Sequence, residues 1–313
     1  MNLLVTGGCG FIGSNFINYF FHNKKINKLV NIDAMYYCAS EDNIDKDIFM
    51  NPNYYFIKGN LCSSDLVSHV LKEHFITHVI HFAAQSHVQN SFDDSMQYTQ
   101  DNIVGTHTLL ECCMKWGIIK KFIHVSTDEV YGESGETKMH EGSILVPTNP
   151  YAATKAAAEM IAMSYIKSYN MNIIITRGNN VYGPNQYPEK LIPRFIQQLN
   201  NGEQVTIQGD GSAKRSFLHV FDTCSAFETI LLKGVVGEIY NIGTNEQNEF
   251  TVMEIAKILI KHIKRTDDFQ SYVKFIKDRP FNDARYFISN EKLRALGWEI
   301  KIKFQDGIKE LIK

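Results

Sequence analysis

The stretch Thr6-Gly7-Gly8-Cys9-Gly10-Phe11-Ile12-Gly13 decides how this chain is read. It follows an apolar run, Asn2–Thr6, of the length of a buried strand, and leads straight into an amphipathic segment, Ser14–Phe21. The spacing Gly7-x-x-Gly10-x-x-Gly13 suits a strand-to-helix turn whose backbone N–H groups approach a diphosphate at a helix N-terminus. A glycine turn without a ligand would look the same in isolation, so the context decides. Asp33 ends the next strand, Lys28–Ile32, twenty residues after Gly13. Its carboxylate can accept hydrogen bonds from ribose hydroxyls and repels a 2′-phosphate, and Ala34-Met35-Tyr36 brings no cation beside it. The cofactor expected is NAD rather than NADP.

Outward from this turn the chain alternates. Strands are expected at Tyr54–Lys58, His78–Phe82, Lys121–Val125 and Asn172–Thr176, with helices at Ser64–Glu73, Gly105–Trp116 and Thr154–Ser168. Parallel strands need crossover connections, so this rhythm predicts an α/β fold: a Rossmann-type doubly wound parallel sheet covered by helices. The first and fifth strands are read as apolar throughout, as a sheet buried on both faces requires. After about residue 177 the loops lengthen and gain Gly, Pro and Asn, as in 178–188 and 209–212. The division expected is a dinucleotide-binding unit over 1–177 and a smaller α/β substrate lobe over 178–313, interleaved and sharing one core.

Composition narrows the partners. The 313 residues are 44% hydrophobic and 21% charged, with a formal net charge of -2, which leaves no basic field for nucleic acid or anionic membrane. No apolar run reaches the ~20 residues of a membrane span, and residues 1–6 leave no room for a signal peptide before the glycine turn. Six cysteines form no CxxC pair and no metal-ligand spacing, so reduced thiols, no metal and a cytoplasmic location are expected. Cys112 and Cys113 are read as small core residues on a helix.

Further cofactor contacts are expected where later strands end. Asn60 and Leu61 follow the third strand, where a short polar side chain could meet an adenine edge. Phe82, Ala83, Ala84 and Ser86 follow the fourth, where small residues let the backbone lie against a dinucleotide. The reacting groups come next. Thr148-Asn149-Pro150 has the form of a turn and cap, and Tyr151 and Lys155, four apart, share one helix face. A nearby ammonium favours a phenolate, so Lys155 is expected to make Tyr151 a usable base. The fifth strand runs into Thr127-Asp128-Glu129, a hydroxyl and two carboxyls beside the expected nicotinamide position. Paired carboxyls allow one acid and one base. A solvated loop, or a helix cap made by Asp128, is the plainer alternative.

Together these residues resemble the extended short-chain dehydrogenase/reductases and, within them, the nucleotide-sugar 4,6-dehydratases. The resemblance covers nearly the whole chain, and Ser126-Thr127-Asp128-Glu129-Val130-Tyr131-Gly132 is its most specific element. It extends to Arg177-Gly178-Asn179-Asn180-Val181-Tyr182-Gly183-Pro184, to 187–193, and to the segments holding Arg215, Asn241 and 278–286. It implies that Tyr151 takes the proton of the sugar 4-hydroxyl while Lys155 assists and Thr127 binds the 4-oxygen. Glu129 would then remove the carbon-5 proton and Asp128 would protonate the departing 6-hydroxyl. Ser86, Asn180, Lys190, Arg215, Asn241, Arg279, Asn282 and Tyr286 are implied as substrate contacts, the arginines at the diphosphate.

The chain departs from the family in places. Many members have Asp at the position of Asn60, and Glu and Asp where this chain has Gln85 and Gln89; relatives often continue past the position of Lys313. Gln85, the 177–180 segment and 280–283 look more like UDP-glucose dehydratases of rhamnose synthesis than dTDP-glucose enzymes. A UDP-hexose 4-epimerase or decarboxylase on the same scaffold is the alternative, and a non-catalytic nucleotide sensor is more distant. The family also implies a homodimer, through a four-helix interface formed by Gly105–Trp116 and Thr154–Ser168.

Overall fold

The computed structural model describes residues 1–23, 26–277 and 283–312. Among them the strands, in chain order, are β1 (Asn2–Thr6), β2 (Lys28–Asp33), β3 (Tyr54–Lys58), β4 (His78–His81), β5 (Lys121–Thr127), β6 (Ile173–Gly178), β7 (Asn180–Tyr182), β8 (Val205–Gln208), β9 (Lys214–His219), β10 (Ile239–Ile242), β11 (Glu249–Thr251) and β12 (Val273–Ile276). Seven form one sheet in the order β10-β6-β5-β4-β1-β2-β3, every neighbouring pair parallel. The chain runs outward from β1 through β2 and β3, then returns to place β4 on the other side of β1. That reversal opens a crevice at the carboxyl ends of β1 and β4.

Both faces of the sheet are covered. Leu3, Leu4 and Val5 of β1 have no exposed surface. Successive side chains point to opposite faces, so Leu3 and Val5 join an apolar cluster with Phe16, Ile80 and Ile123, while Leu4 joins another with Val30, Val79 and Phe122. A third cluster, including Phe195, Ile207, Leu259 and Phe304, belongs to the later part of the chain, where β11-β9-β7 and β12-β8 form two small sheets. Two later elements complete the main layer: β10 pairs with β6, and the helix Val220–Lys233 packs on Phe11–Asn23.

The doubly wound parallel sheet is the one expected. β1 and β3 have the expected bounds, whereas β5 and β6 each run two residues further, pairing Ser126 with Arg177 and Thr127 with Gly178. The extension fixes the start of the polar segment to the sheet. The reading of the fifth strand as apolar throughout needs correction. His124 lies in it with no exposed surface, its ring 5.6 Å from that of His81. Burial, then the Lys155 charge, holds its pKa well below the ordinary imidazole range, so it packs as a neutral ring.

Candidate active site

The glycine turn works as a close approach between strands. Gly7 has φ +71, and a Cβ there would come 2.7 Å from the Ala83 Cα and N at the end of β4. A Cβ on Gly13 would meet the Gly7 carbonyl oxygen at 2.3 Å. Only glycine lets the turn, the helix Phe11–Asn23 and β4 converge. The first-turn amides of that helix have no partner within it, and no acidic side chain occupies that turn. Asp33, at the end of β2, is 7% exposed and accepts the Cys9 N–H (2.9 Å) and the Met35 N–H (2.8 Å). A diphosphate-binding turn and a fixed carboxylate thus face one space. That donor set fits a dinucleotide.

The space is a cavity of about 710 Å³ along the carboxyl edge of the sheet. Gly7, Gly10, Phe11, Ile12 and Gly13 line it after β1, Asp33 after β2, and Asn60 and Leu61 after β3. Phe82, Ala83, Ala84 and Ser86 line it after β4. Asn60 is already engaged: its Oδ1 accepts the Cys62 N–H (2.8 Å), and its Nδ2 donates to the Tyr36 hydroxyl (3.0 Å). Gln85 donates to Asp101 (2.8 Å), a negative charge in the same wall.

Thr127, Asp128, Glu129, Tyr151 and Lys155 line the same cavity, from the end of β5 and the helix Pro150–Tyr169. Asp128–Tyr131 forms a single 3-10 turn. Its cap is Thr127, whose side chain accepts the Glu129 N–H at 3.3 Å, which leaves the Asp128 carboxyl for the site. Asp128 is 3% exposed and accepts from Asn179 Nδ2 (2.6 Å) and the Thr127 hydroxyl (3.2 Å). Burial, and then the charge of Glu129, pushes its pKa up to about 7. Glu129 accepts from Asn149 Nδ2 (2.9 Å), and burial raises its pKa as well. The pair therefore offers a carboxyl that carries a proton near neutrality beside one held in a charge-assisted hydrogen bond.

Tyr151 and Lys155 lie one turn apart on the helix Pro150–Tyr169, which Asn149 caps through the Ala152 N–H (2.9 Å) and Pro150 starts. The expected activation of Tyr151 by Lys155 is not what this arrangement does on its own. Burial, then the charges of Glu129 and Asp128, pushes the phenol well above its ordinary range, while the Thr127 hydroxyl works against them. Lys155 donates to the Val125 carbonyl (2.7 Å), and burial lowers it to about 8. Burial, with the two carboxyls behind it, sets the state of the phenol, while Lys155 is held at a backbone carbonyl.

The implied substrate contacts divide. Asn180, Lys190, Arg215 and Tyr286 line the cavity. Arg215 donates to the backbone carbonyls of Lys214 (2.7 Å) and Asp283 (2.9 Å) and lies over the Tyr286 ring, and Lys190 donates to the Ser86 carbonyl (2.7 Å). Asn241 departs from expectation. It has no exposed surface and is outside the cavity wall, with its Oδ1 taking the Tyr131 hydroxyl (2.8 Å). Arg177 is interior too, bound to Glu159 at 2.6–3.2 Å and to the Tyr131 hydroxyl. Arg279 and Asn282 lie outside the described residues. Asn149, Asn179 and Asp283 were missed as site residues, because each acts through a partner far away in the sequence.

A family model described as GDP-mannose 4,6 dehydratase matches residues 4–311. The chain belongs to that family. The resemblance to the nucleotide-sugar 4,6-dehydratases among extended short-chain dehydrogenase/reductases therefore holds over nearly all of its length. An Arabidopsis thaliana trifunctional UDP-glucose 4,6-dehydratase/3,5-epimerase/reductase is 47% identical over 99% of this chain, which spans only 46% of that protein. The chain thus spans about half the length of such plant relatives. A human dTDP-D-glucose 4,6-dehydratase is 44% identical over 99% of this chain and 89% of its own length. Among solved structures, a dTDP-glucose 4,6-dehydratase from Streptomyces venezuelae with NAD bound superposes with a TM-score of 0.94 at 35% identity, covering 100% of this chain and 96% of the other. The 4,6-dehydratase family thus supplies the frame in which the carboxyl pair is read.

Proposed function

We propose that this chain removes water from a nucleoside-diphosphate glucose with bound NAD, giving the 4-keto-6-deoxy sugar, and that it prefers UDP-glucose to dTDP-glucose. The observation that carries the reading is the carboxyl pair: Asp128, raised to about 7, adjoins Glu129 in the cavity that also holds Tyr151 and the glycine turn. An epimerase on this scaffold has no use for a buried acid and base beside the tyrosine.

NAD, when bound, supplies the two-electron acceptor for oxidation at the sugar's carbon 4 and returns the same electrons at carbon 6. The chain's part is binding and proton transfer. The first-turn amides after Gly10 hold the diphosphate and Asp33 holds the adenosine ribose. Thr127 orients the sugar 4-oxygen, and Tyr151, which the positive charge of bound NAD would favour as phenolate, takes its proton with Lys155 beside it. A 4-keto group makes the carbon-5 proton acidic; Glu129 removes it, and Asp128 delivers its own proton to the leaving 6-hydroxyl. Glu129 gives its proton back to carbon 5 as the electrons return at carbon 6, and the proton held by Tyr151 passes by way of solvent to Asp128, so water is the net loss. Arg215 and Lys190 suit the substrate diphosphate, Asn180, Ser86 and Tyr286 the sugar, with Arg279 and Asn282 as further contacts.

Support for uracil over thymine comes from Gln85 and the 177–180 segment, and from 47% identity to the plant UDP-glucose proteins against 44% to the human dTDP-glucose protein. Residues 1–177 are taken as the cofactor unit and 178–313 as the substrate lobe. A homodimer through the helices Gly105–Trp116 and Pro150–Tyr169 accords with the exposed Met160 and Tyr169 on the latter. No helix among the described residues is long and apolar enough to cross a membrane. Incubation with each sugar nucleotide, followed by mass spectrometry, tests the proposal. Loss of one water, faster from UDP-glucose, is expected; epimerisation without loss of water would sink it.

A further inference from the structure

The residue just before the helix of Tyr151 has two tasks. Asn149 is 6% exposed and lies in the cavity wall. Its Oδ1 accepts the Ala152 N–H (2.9 Å), capping the helix, and its Nδ2 donates to Glu129 Oε2 (2.9 Å), twenty residues away on the turn after β5. A cap needs only the acceptor, which Ser, Thr or Asp provides as well. The short amide adds a donor at the other corner. Its neighbour Thr148 donates to both oxygens of Asp283 (2.9 and 2.8 Å), which also accepts the Tyr286 hydroxyl, so the Thr148-Asn149 segment is tied to a distant part of the chain that also lines the cavity.

We infer that Asn149 is a positioning residue for Glu129, tying its carboxylate to the helix that carries Tyr151 and Lys155 and holding it ionised. The inference rests on the proposed role of Glu129 as the base. Among the described residues, Asn149 is the side chain hydrogen-bonded to that carboxylate. Its charged surroundings are mixed. Asp128 adjoins it and Asp283 opposes its ionisation, Arg215 and Lys190 favour it, and the phenols of Tyr151 and Tyr286 face it. Arg215 and Lys190 are themselves bonded to backbone carbonyls. The amide of Asn149 is therefore the direct contact that opposes the effect of burial. A base with no such donor would keep its proton to higher pH and swing free of the sugar's carbon 5.

The test uses two variants that both keep a capping oxygen. Asn149→Ser removes the donor, and Asn149→Asp replaces it with an acceptor. Three measurements are made on the full chain: the melting temperature, the acid limb of the turnover profile, and the titration of Glu129. The last is followed by carbon-13 NMR of protein labelled at glutamate side-chain carboxyls, with the signal identified by its loss in Glu129→Gln. In Asn149→Ser the Glu129 midpoint and the acid limb should rise together by about one pH unit, while melting changes by no more than about 3 °C. In Asn149→Asp both should rise further. An unchanged Glu129 midpoint in Asn149→Ser overturns the inference, because the residue is then only a cap. Failure of the base assignment is separable: Glu129→Gln would turn over normally, while the NMR midpoints would still decide the role of Asn149.

Discussion

Replacing Asp128 by Asn should stabilise the protein in alkali while nearly abolishing its turnover. The folded protein holds this carboxyl at about 7 against an ordinary 3.8, with burial the larger cause and the Glu129 charge the second. An acid whose folded pKa is raised binds more protons folded than unfolded. Stability therefore falls as pH rises through the window from about 4 to about 7, and the penalty stays in full above it. The raise is about three pH units, and each is worth about 1.4 kcal/mol, so the ceiling is about 4 kcal/mol. With 3% exposure there is little solvent screening to reduce it. An amide of the same shape carries no such penalty and can still accept from Asn179. Some of the gain is lost in reorienting the Thr127 hydroxyl, leaving about 1–3 kcal/mol. Denaturant unfolding at pH 8 and at pH 4 reads this directly. Asp128→Asn should be more stable than the parent at pH 8 and close to it at pH 4. In parallel, parent turnover should fall as pH rises through about 7, because the acid loses its proton. The variant should lack that limb and turn over 10²–10⁴-fold more slowly, as roughly expected for loss of a general acid. If the variant gains nothing at pH 8 and keeps the alkaline limb, Asp128 does not hold the proton.

Other perturbations separate the remaining roles. Tyr151→Phe should bind NAD with about the parent's affinity by calorimetry yet lose turnover by ~10²-fold or more, because the proton acceptor is gone; retained turnover would remove Tyr151 from the chemistry. Asp33→Ala should weaken NAD and relax discrimination against NADP, and equal preference before and after, measured by titration of both cofactors, would place the ribose contact elsewhere. Glu159→Ala strands the buried Arg177 guanidinium, so unfolding free energy should drop by about 3–5 kcal/mol; a drop under about 1 kcal/mol would mean that Tyr131 and the Glu141 carbonyl suffice to satisfy it.

What could be read in the sequence was whatever is local or periodic. Short continuous apolar runs delimit β1 and β3, and three glycines mark a turn whose crowding by Ala83 then follows from geometry. Asp33, Thr127, Asp128, Glu129, Tyr151 and Lys155 each follow a strand or open a helix, so their place at the sheet edge was legible. Contacts between distant segments were not. Tyr131 and Asn241 are 110 residues apart, so nothing local tells that Asn241 turns into the core. The cap at Asn149 was visible from the proline after it, whereas its second bond requires the turn after β5 to lie alongside the helix. The sign of the effect on Tyr151 was likewise tertiary. Spacing brings Lys155 near, but only the fold shows that burial and two carboxyls act against it.

In the proposed reaction, oxidation at carbon 4 needs Tyr151 but neither carboxyl, whereas elimination needs both. Stopped-flow absorbance of bound cofactor in Glu129→Gln, mixed with UDP-glucose, tests this most directly. Reduced cofactor should form and persist, with the sugar held as the 4-keto hexose and no water lost, whereas the parent should show only a transient. Dehydration at near the parent rate would make the carboxyl pair structural, and absence of any reduction would show that the two stages are not separable, so either result contradicts the account.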